Sequence, residues 1–374
     1  MPLLYERLRA HLLEEIRSGR FGVGDRIPSE MALAEQFNES RNTSKKALET
    51  LERDGLIVRF RGKGSFVAEA PQDRHMAQLD HGTGNGEVVP DGPATQSIGY
   101  IYPDFYVSFG LHLFHGIEEQ AAHYGLQLSI RGSRGHREQE TEAITRLVHN
   151  GVRGLIVFPV HGEYYNDEIL RLLLRGFPVV LVDRYLKGIQ VSSIGTNNVE
   201  AARTLVTHLT ERGRHRIAFL SPPPERTSSI EDRRRGYTIG LRQAGVVVDP
   251  SRQLLTLSST IPGFAPPDGS SQDIQRLNTF LDANPDLDGF IVVEAMLALL
   301  LEQVLRSRHQ EHLIPSITCF DAMDIPLQPT RFTHILQNER LIGRTAVDTL
   351  VAQMTKPAPT TRIDVPFTLV QTTR

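Results

Sequence analysis

Residues 28–67 run from Pro28-Ser29-Glu30 through a stretch with apolar residues at helical spacing. They continue with Ser40-Arg41-Asn42-Thr43-Ser44-Lys45-Lys46-Ala47-Leu48 and close on Arg61-Gly62-Lys63-Gly64-Ser65-Phe66-Val67. Ser29 stands where a helix N-cap belongs, with acidic Glu30 in the first turn and Leu33, Ala34 and Phe37 spaced behind it. Ser40 caps a second helix whose inner face is Ala47, Leu48 and Leu51, and Gly55 has the left-handed freedom that ends it. Leu56–Phe60 and Ser65–Val67 then read as strands around a Gly-Lys-Gly tip. Upstream, Leu4, Leu8, Leu12 and Ile16 recur every four residues, the stripe of one more amphipathic helix. Three helices followed by a hairpin predict a winged helix-turn-helix.

The outward face of the second of these two helices carries Arg41, Asn42, Lys45 and Lys46. From Arg41 to Lys63 seven basic residues face three acidic ones, although the whole chain is net −3, so the positive charge is local. That footprint points to DNA. Arg41 can bond both acceptors on a guanine edge, whereas Lys45 and Lys46 suit phosphates. Arg61, Gly62, Lys63 and Gly64 form a wing tip able to approach the backbone closely. A solvated helix face would explain any one basic helix, but not caps, basic face and wing in this order.

Residues 3–69 resemble the N-terminal domain of the GntR family of bacterial regulators. The resemblance rests on Pro-Ser-Glu, Leu-Ala-Glu-x-Phe, Ser-Arg-x-Thr, Ala-Leu-x-x-Leu-x-x-Gly-Leu and Gly-x-Gly-Ser-Phe-Val. It implies that Arg41 and Lys45 read DNA and that Ser29, Glu30, Ser40 and Thr43 support them, with Lys63 and its glycines as the wing. Glu39 stands where that family usually has an apolar residue. Lys45 stands where Arg is commoner, and a lysine lacks the fork needed for bidentate base reading.

The 374 residues suit two or three domains, and 40% hydrophobic composition supports full cores. No run of eighteen apolar residues suggests a membrane span, and Met1-Pro2-Leu3-Leu4-Tyr5-Glu6 does not read as a secretory signal, so a cytoplasmic location is expected. Cys319, the single cysteine, lies in an apolar strand-like run and reads as core packing. Glycines and prolines punctuate residues 81–96, so 70–96 read as a mobile linker between a head at 1–69 and a body at 97–374.

The body alternates apolar runs with helical stretches. Strands are expected at 98–102, 126–130, 154–160, 178–182, 216–220, 289–293 and 317–320, with eight helices between 111 and 354. This pattern predicts parallel sheets covered on both faces, and the length predicts two α/β lobes. Lobe one would hold about 97–195 and 338–362, and lobe two about 196–337 and 363–374.

Ligands of such sheets collect beyond the carboxyl ends of strands. Those positions hold Asp104, Phe105 and Phe109, then Asp183 and Arg184, then Ser228, Ser229 and Arg233, and finally Asp321. Carboxylates and guanidinium groups bond hydroxyls, and aromatic faces pack on the apolar side of a sugar ring. Each Asp alone would more commonly be a cap or turn former, and Arg233 lies in a charge run, Asp232-Arg233-Arg234-Arg235. The weight comes from four strand ends agreeing.

Residues 97–374 also resemble the effector domain of LacI/GalR regulators, which is similar to periplasmic sugar-binding proteins. The matching stretches include Ser97–Asp104, Val152–Val157, Pro178–Arg184, Gly213–Leu220 and Gly236-Tyr237. The resemblance implies that Asp183, Arg233 and Asp321 contact the ligand and that Phe105 and Phe109 line the first lobe. It departs at Val293-Glu294, where that family usually reads Asn-Asp. A GntR-like head on a LacI-like body resembles arabinose-repressor-type regulators. The resemblance implies a homodimeric repressor of operator DNA governed by a sugar or sugar derivative, with no catalytic residues, metal or cofactor. A non-sugar effector stays open. A fused enzyme domain is a weaker alternative, because Lys187 and Lys356 are the body's only lysines and its histidines lack metal-ligand spacing.

Overall fold

A computed structural model describes residues 4–17, 20–21, 25–37, 39–53, 56–60, 64–67, 96–104, 108–162, 165–262, 269–322, 331–356 and 359–372. Two units, Met1–Pro90 and Asp91–Arg374, each build their own core.

The first unit runs α1 (Leu4–Arg17), β1 (Arg26–Ile27), α2 (Glu30–Phe37), α3 (Arg41–Arg53), β2 (Ile57–Phe60) and β3 (Gly64–Val67). Leu8 and Leu12 of α1, Leu33 of α2 and Ala47, Leu48 and Leu51 of α3 are buried together with Ile57 and Val67 of the hairpin. Both expected caps form: Ser29 Oγ accepts from the Ala32 N–H at 3.2 Å, and Ser40 Oγ from the Thr43 N–H at 3.1 Å. The helix α3 closes with the Leu56 N–H on the Leu51 carbonyl at 3.0 Å. The antiparallel β2–β3 hairpin sets Phe60 opposite Gly64. Strand β1, which pairs with β3, was not expected, because two residues are too few to show alternation. The expected C-cap Gly55, the wing-tip residues Arg61, Gly62 and Lys63, and all of linker 70–96 except Gln96 lie outside the described residues.

Among the described residues the second unit holds two six-stranded sheets. Its first half runs β4 (Ser97–Tyr102), α4 (Leu111–His123), β5 (Gln127–Gly132), α5 (Arg137–His149), β6 (Leu155–Val157), α6 (Asp167–Leu174), β7 (Val179–Val182) and β8 (Ser192–Thr196). The chain then enters α7 (Asn198–Thr210), β9 (Ile217–Leu220), α8 (Ser228–Gln243), β10 (Gln253–Leu254), α9 (Gly269–Ala283) and β11 (Gly289–Val292). It continues through α10 (Ala295–Ser307), β12 (Ile317–Phe320), β13 (Thr333–Leu336), α11 (Glu339–Thr355), β14 (Arg362–Val365) and β15 (Thr368–Val370).

Lobe one is the parallel sheet β14-β8-β7-β6-β4-β5, and lobe two is β10-β9-β11-β12-β13-β15, where β13–β15 pair antiparallel and the other described neighbours parallel. The central strands are buried throughout, as sheets covered on both faces require. Three crossovers join the lobes: after β8, after β13, and between β14 and β15. The last comes later than the sequence suggested, because β14 pairs with β8 from Arg362 to Val365 before the chain leaves lobe one.

Gly236 sets the place of α8 on α7. A Cβ there would stand 2.2 Å from the Val199 carbonyl oxygen, so only glycine permits this approach. The N-terminal turns of α8 are thereby brought to the space between the lobes.

Candidate functional site

A cleft with an empty volume of about 580 Å³, open mouth included, lies between the lobes. Phe109, Asp183, Arg184, Ser229, Arg233 and Asp321 line it, so six of the eight expected effector contacts come together. Asp104 is exposed just beyond β4 and outside the residues that line this cleft; Phe105 lies outside the described residues. The lining also includes Ser108, Phe158, Ile230, Glu294, Met296 and Gln337. Glu294 follows the expected strand 289–293, so the strand-end rule applied there would have found it, whereas Phe158 falls inside the expected strand 154–160, which in the fold ends at Val157, and Gln337 follows β13.

Two aspartates occupy matching positions in the lobes. Asp183 follows β7 at φ 65° and Asp321 follows β12 at φ 59°, both in the left-handed region that non-glycine residues seldom adopt. Each stays tied to its sheet, Asp183 N–H to the Ile194 carbonyl at 2.9 Å and Asp321 N–H to that of Ile335 at 2.8 Å. Such strain persists where the surroundings over-determine it, commonly at ligand sites.

Arg233 is buried. Its Nε donates to Asn198 Oδ1 at 2.7 Å, its Nη1 to the Val293 carbonyl at 2.7 Å, and its guanidinium lies 3.9 Å from the Phe320 ring centroid. Burial lowers its pKa from the ordinary arginine value, while Asp183, Asp321 and Glu294 favour its charge. Burial pushes the Asp321 carboxyl up to about 8 against the attraction of Arg233. Burial likewise raises Glu294, with Thr260 and Arg233 opposing it. Arg184 donates from Nη1 to the Pro159 carbonyl at 2.8 Å and lies 5.1 Å from the Phe158 ring. Phe109 meets Phe158 edge-on at 5.9 Å, giving the cleft an apolar platform.

Val293 does not line the cleft. Its side chain is fully buried in the lobe-two core, and the next residue, Glu294, lines the cleft.

Beside the cleft, the first turns of α8 are held by lobe one. The Tyr185 N–H donates to Ser228 Oγ at 2.9 Å, and the Tyr185 hydroxyl to the two Asp232 oxygens at 3.1 and 3.2 Å. Arg362 Nη2 reaches Asp232 at 3.2 Å while its guanidinium sits 4.0 Å from the Tyr185 ring centroid. Lys187 pairs with Glu231, and the Gly162 N–H donates to Thr227 Oγ1 at 3.0 Å. His161 Nδ1 also lies 3.1 Å from Thr227 Oγ1; burial and Arg184 push this imidazole down to about 3, which keeps it neutral.

In the head, α3 buries Ser44, Ala47, Leu48 and Leu51 and exposes Asn42, Lys45, Lys46 and Glu49. Lys45 Nζ is 3.7 Å from Glu49, and Lys46 Nζ sits 4.5 Å from the Tyr5 ring centroid. Ser29 and Ser40 spend their hydroxyl oxygens on helix caps; Glu30 and Thr43 are half-buried at the starts of α2 and α3. Arg41 opens α3, Gly64 opens β3, and the Arg41 side chain lies outside the described ones.

Residues 98–358 match the periplasmic binding protein domain family, and residues 4–67 match the bacterial regulatory proteins of the gntR family. The chain belongs to the periplasmic-binding-protein family through its body and carries a GntR winged helix as its head, which makes it a DNA-binding transcription regulator. Among its relatives, an arabinose metabolism transcriptional repressor of Geobacillus stearothermophilus is 26% identical over 81% of this chain and 78% of its own. One of the same name from Halalkalibacterium halodurans is 23% identical over 82% and 76%. Among solved structures, the transcriptional regulator CelR–cellobiose complex superposes with a TM-score of 0.62 at 17% identity, covering 88% of this chain and 89% of that one, a likeness of fold. Among the described residues no helix is long and apolar enough to cross a membrane, and no group of three or more His, Cys, Asp or Glu side chains could hold a metal ion.

Proposed function

We propose that this regulator is a cytoplasmic repressor whose cleft binds a sugar or sugar derivative and thereby alters its hold on operator DNA. The head would be residues 1–69, the linker 70–96 and the effector and dimerisation body 97–374. The observation that carries the effector reading is the cleft itself: Asp183, Arg184, Arg233, Glu294 and Asp321 beside a phenylalanine platform. Charged side chains with spare hydrogen-bonding capacity over aromatic faces suit a hydroxylated ring. The names of the two relatives make pentoses the first candidates. In this reading the body binds rather than catalyses.

A homodimer would set two heads on a pseudo-palindromic site with half-sites at roughly 10 base pairs or a multiple. An effector that weakens operator binding must itself bind more weakly to the operator complex, and the reverse holds for one that strengthens it. The test is selection of bound DNA from a random pool by the full chain, followed by titration of the selected duplex with and without sugars. A palindromic consensus whose affinity shifts with a sugar is expected. Selection of no consensus, or an affinity indifferent to every sugar, would refute the proposal.

A further inference from the structure

The start of α4 has no cap of its own. Its N-cap is Gly110, at φ 109°, which has no side chain to offer, and no acidic residue stands in the first turn. The cap comes from 229 positions along the chain: Glu339 Oε2 accepts from the Gly110 N–H at 2.6 Å and from the Leu113 N–H at 3.3 Å. Glu339 is buried, and its carboxylate meets the positive end of the α4 dipole. Burial raises its pKa while the two N–H groups pull it back. The caps of α6, α7 and α11, by contrast, come from the adjacent Asn166, Asn197 and Asn338.

Glu339 opens α11 directly after the crossover from β13. Two residues earlier, Gln337 Nε2 donates to Asp321 Oδ2 of lobe two at 2.9 Å. Three consecutive residues therefore bond lobe two, cap α11 and cap α4 of lobe one. The N–H held by Glu339 belongs to the peptide that joins Phe109 to Gly110, and Ser108 and Phe109 line the cleft. Behind the cap the two helices are locked. A Cβ at Gly116 would stand 2.3 Å from the Arg340 carbonyl oxygen, and one at Gly343 2.3 Å from that of Leu113. Glu119 of α4 also accepts from Arg340 and Arg344 at 2.7 Å each. The helices thus move as one body, and what Glu339 adds is the placement of the turn that leads into α4.

We propose that Glu339 is a positioning residue for the cleft. By holding the peptide after Phe109, it makes the crossover that bonds lobe two through Gln337 also set where the aromatic wall of lobe one stands. A change in the relation of the lobes that moves the crossover then carries Phe109 with it. This goes beyond the effector reading, on which only its consequence for sugar affinity rests.

The chain holds no tryptophan, so Phe109→Trp gives a single emitter on the cleft wall. In the ligand-free full chain carrying it, Glu339→Met keeps the side-chain length and removes the acceptor. It should move emission to longer wavelength and speed amide exchange at 110–113 about ten-fold or more. Glu339→Gln retains an acceptor and should bring both back toward the parent. Parental emission in a folded Glu339→Met variant, even with a lowered melting temperature, overturns the proposal, and so does equal displacement by Met and Gln. If Glu339→Met does not fold, Glu339→Asp, whose carboxylate ends one methylene short, must show the same shift, and parental emission there overturns it too. Calorimetry on the chain with Phe109 intact, against L-arabinose, D-ribose and D-glucose, separates the two readings. Binding weakened about ten-fold by Glu339→Met and retained by Glu339→Gln supports both, whereas equal affinities overturn the positioning role. A parent that binds none of these sugars counts against the effector reading alone, while the emission decides the role of Glu339.

Discussion

Asp232 and Arg233 are consecutive on α8 and serve different parts of the body. Asp232 is held by Tyr185 and Arg362 of lobe one, while Arg233 lines the cleft and anchors on the Val293 carbonyl of lobe two. A ligand that engages Arg233 therefore acts on the same helical turn that ties the lobes together. Neighbouring residues on a rigid helix cannot move independently.

Asp232→Ala should weaken effector binding about ten-fold although Asp232 does not line the cleft. It removes the partner of the Tyr185 hydroxyl and of Arg362, so the apposed lobes lose part of their stabilisation. Calorimetry reads the affinity, and small-angle scattering should show a larger radius of gyration without effector. Parental values for both would mean that these contacts do not favour the closed arrangement.

The Asp321 carboxyl, raised to about 8 by burial, makes stability depend on pH. Its folded pKa lies above the ordinary unfolded value of about 4. Its contribution is therefore fully present below about pH 4 and is lost as pH rises toward 8, because the unfolded state ionises first. The facing charges are Arg233 from α8, Asp183 after β7 and Glu339 of α11, with Gln337 bonded directly. Ligand-free Asp321→Asn should gain melting temperature over the parent between pH 6 and 8.5. Parallel melting curves across that range would contradict it.

Val293→Asn should lower stability by about 1–3 kcal/mol, because it places an amide in the fully buried lobe-two core. Glu294→Gln, on the cleft wall, should instead change which sugars bind with little effect on folding. Denaturant unfolding and a sugar panel distinguish the two positions. A stable Val293→Asn with altered sugar preference would reverse the assignment.

Arg41→Ala should cost about 1–3 kcal/mol on the specific operator and relax discrimination at one base pair. Lys63→Ala should weaken binding to all sequences and reduce the salt slope by about one. Anisotropy titrations on specific and scrambled duplexes at several salt concentrations test both. Parental binding by both variants would place the reading surface elsewhere.

The head was legible in the sequence because its signals are local. Ser29 and Ser40 bond the amide three residues on, and the four-residue spacing of Leu8 and Leu12 reports a buried face directly. The body's central strands were legible as apolar runs, and the positions after β7 and β12 located Asp183 and Asp321. Ser192–Thr196 was not, because two serines, a glycine and a threonine carry no apolar run even though the strand is largely buried.

What the sequence determined alone was the order of helices and strands, the basic face of α3 and the chemical character of most of the cleft. Only the tertiary structure decided that Val293 turns inward while Glu294 lines the cleft, and that Gln337 bonds Asp321 beside it. It also decided the contacts of Asp232 with Tyr185, 47 positions away, and with Arg362, 130 positions away. Caps and periodicity record what a residue does to its neighbours along the chain. Contacts between distant residues depend on where three crossovers bring the two sheets to face each other, and no local pattern carries that.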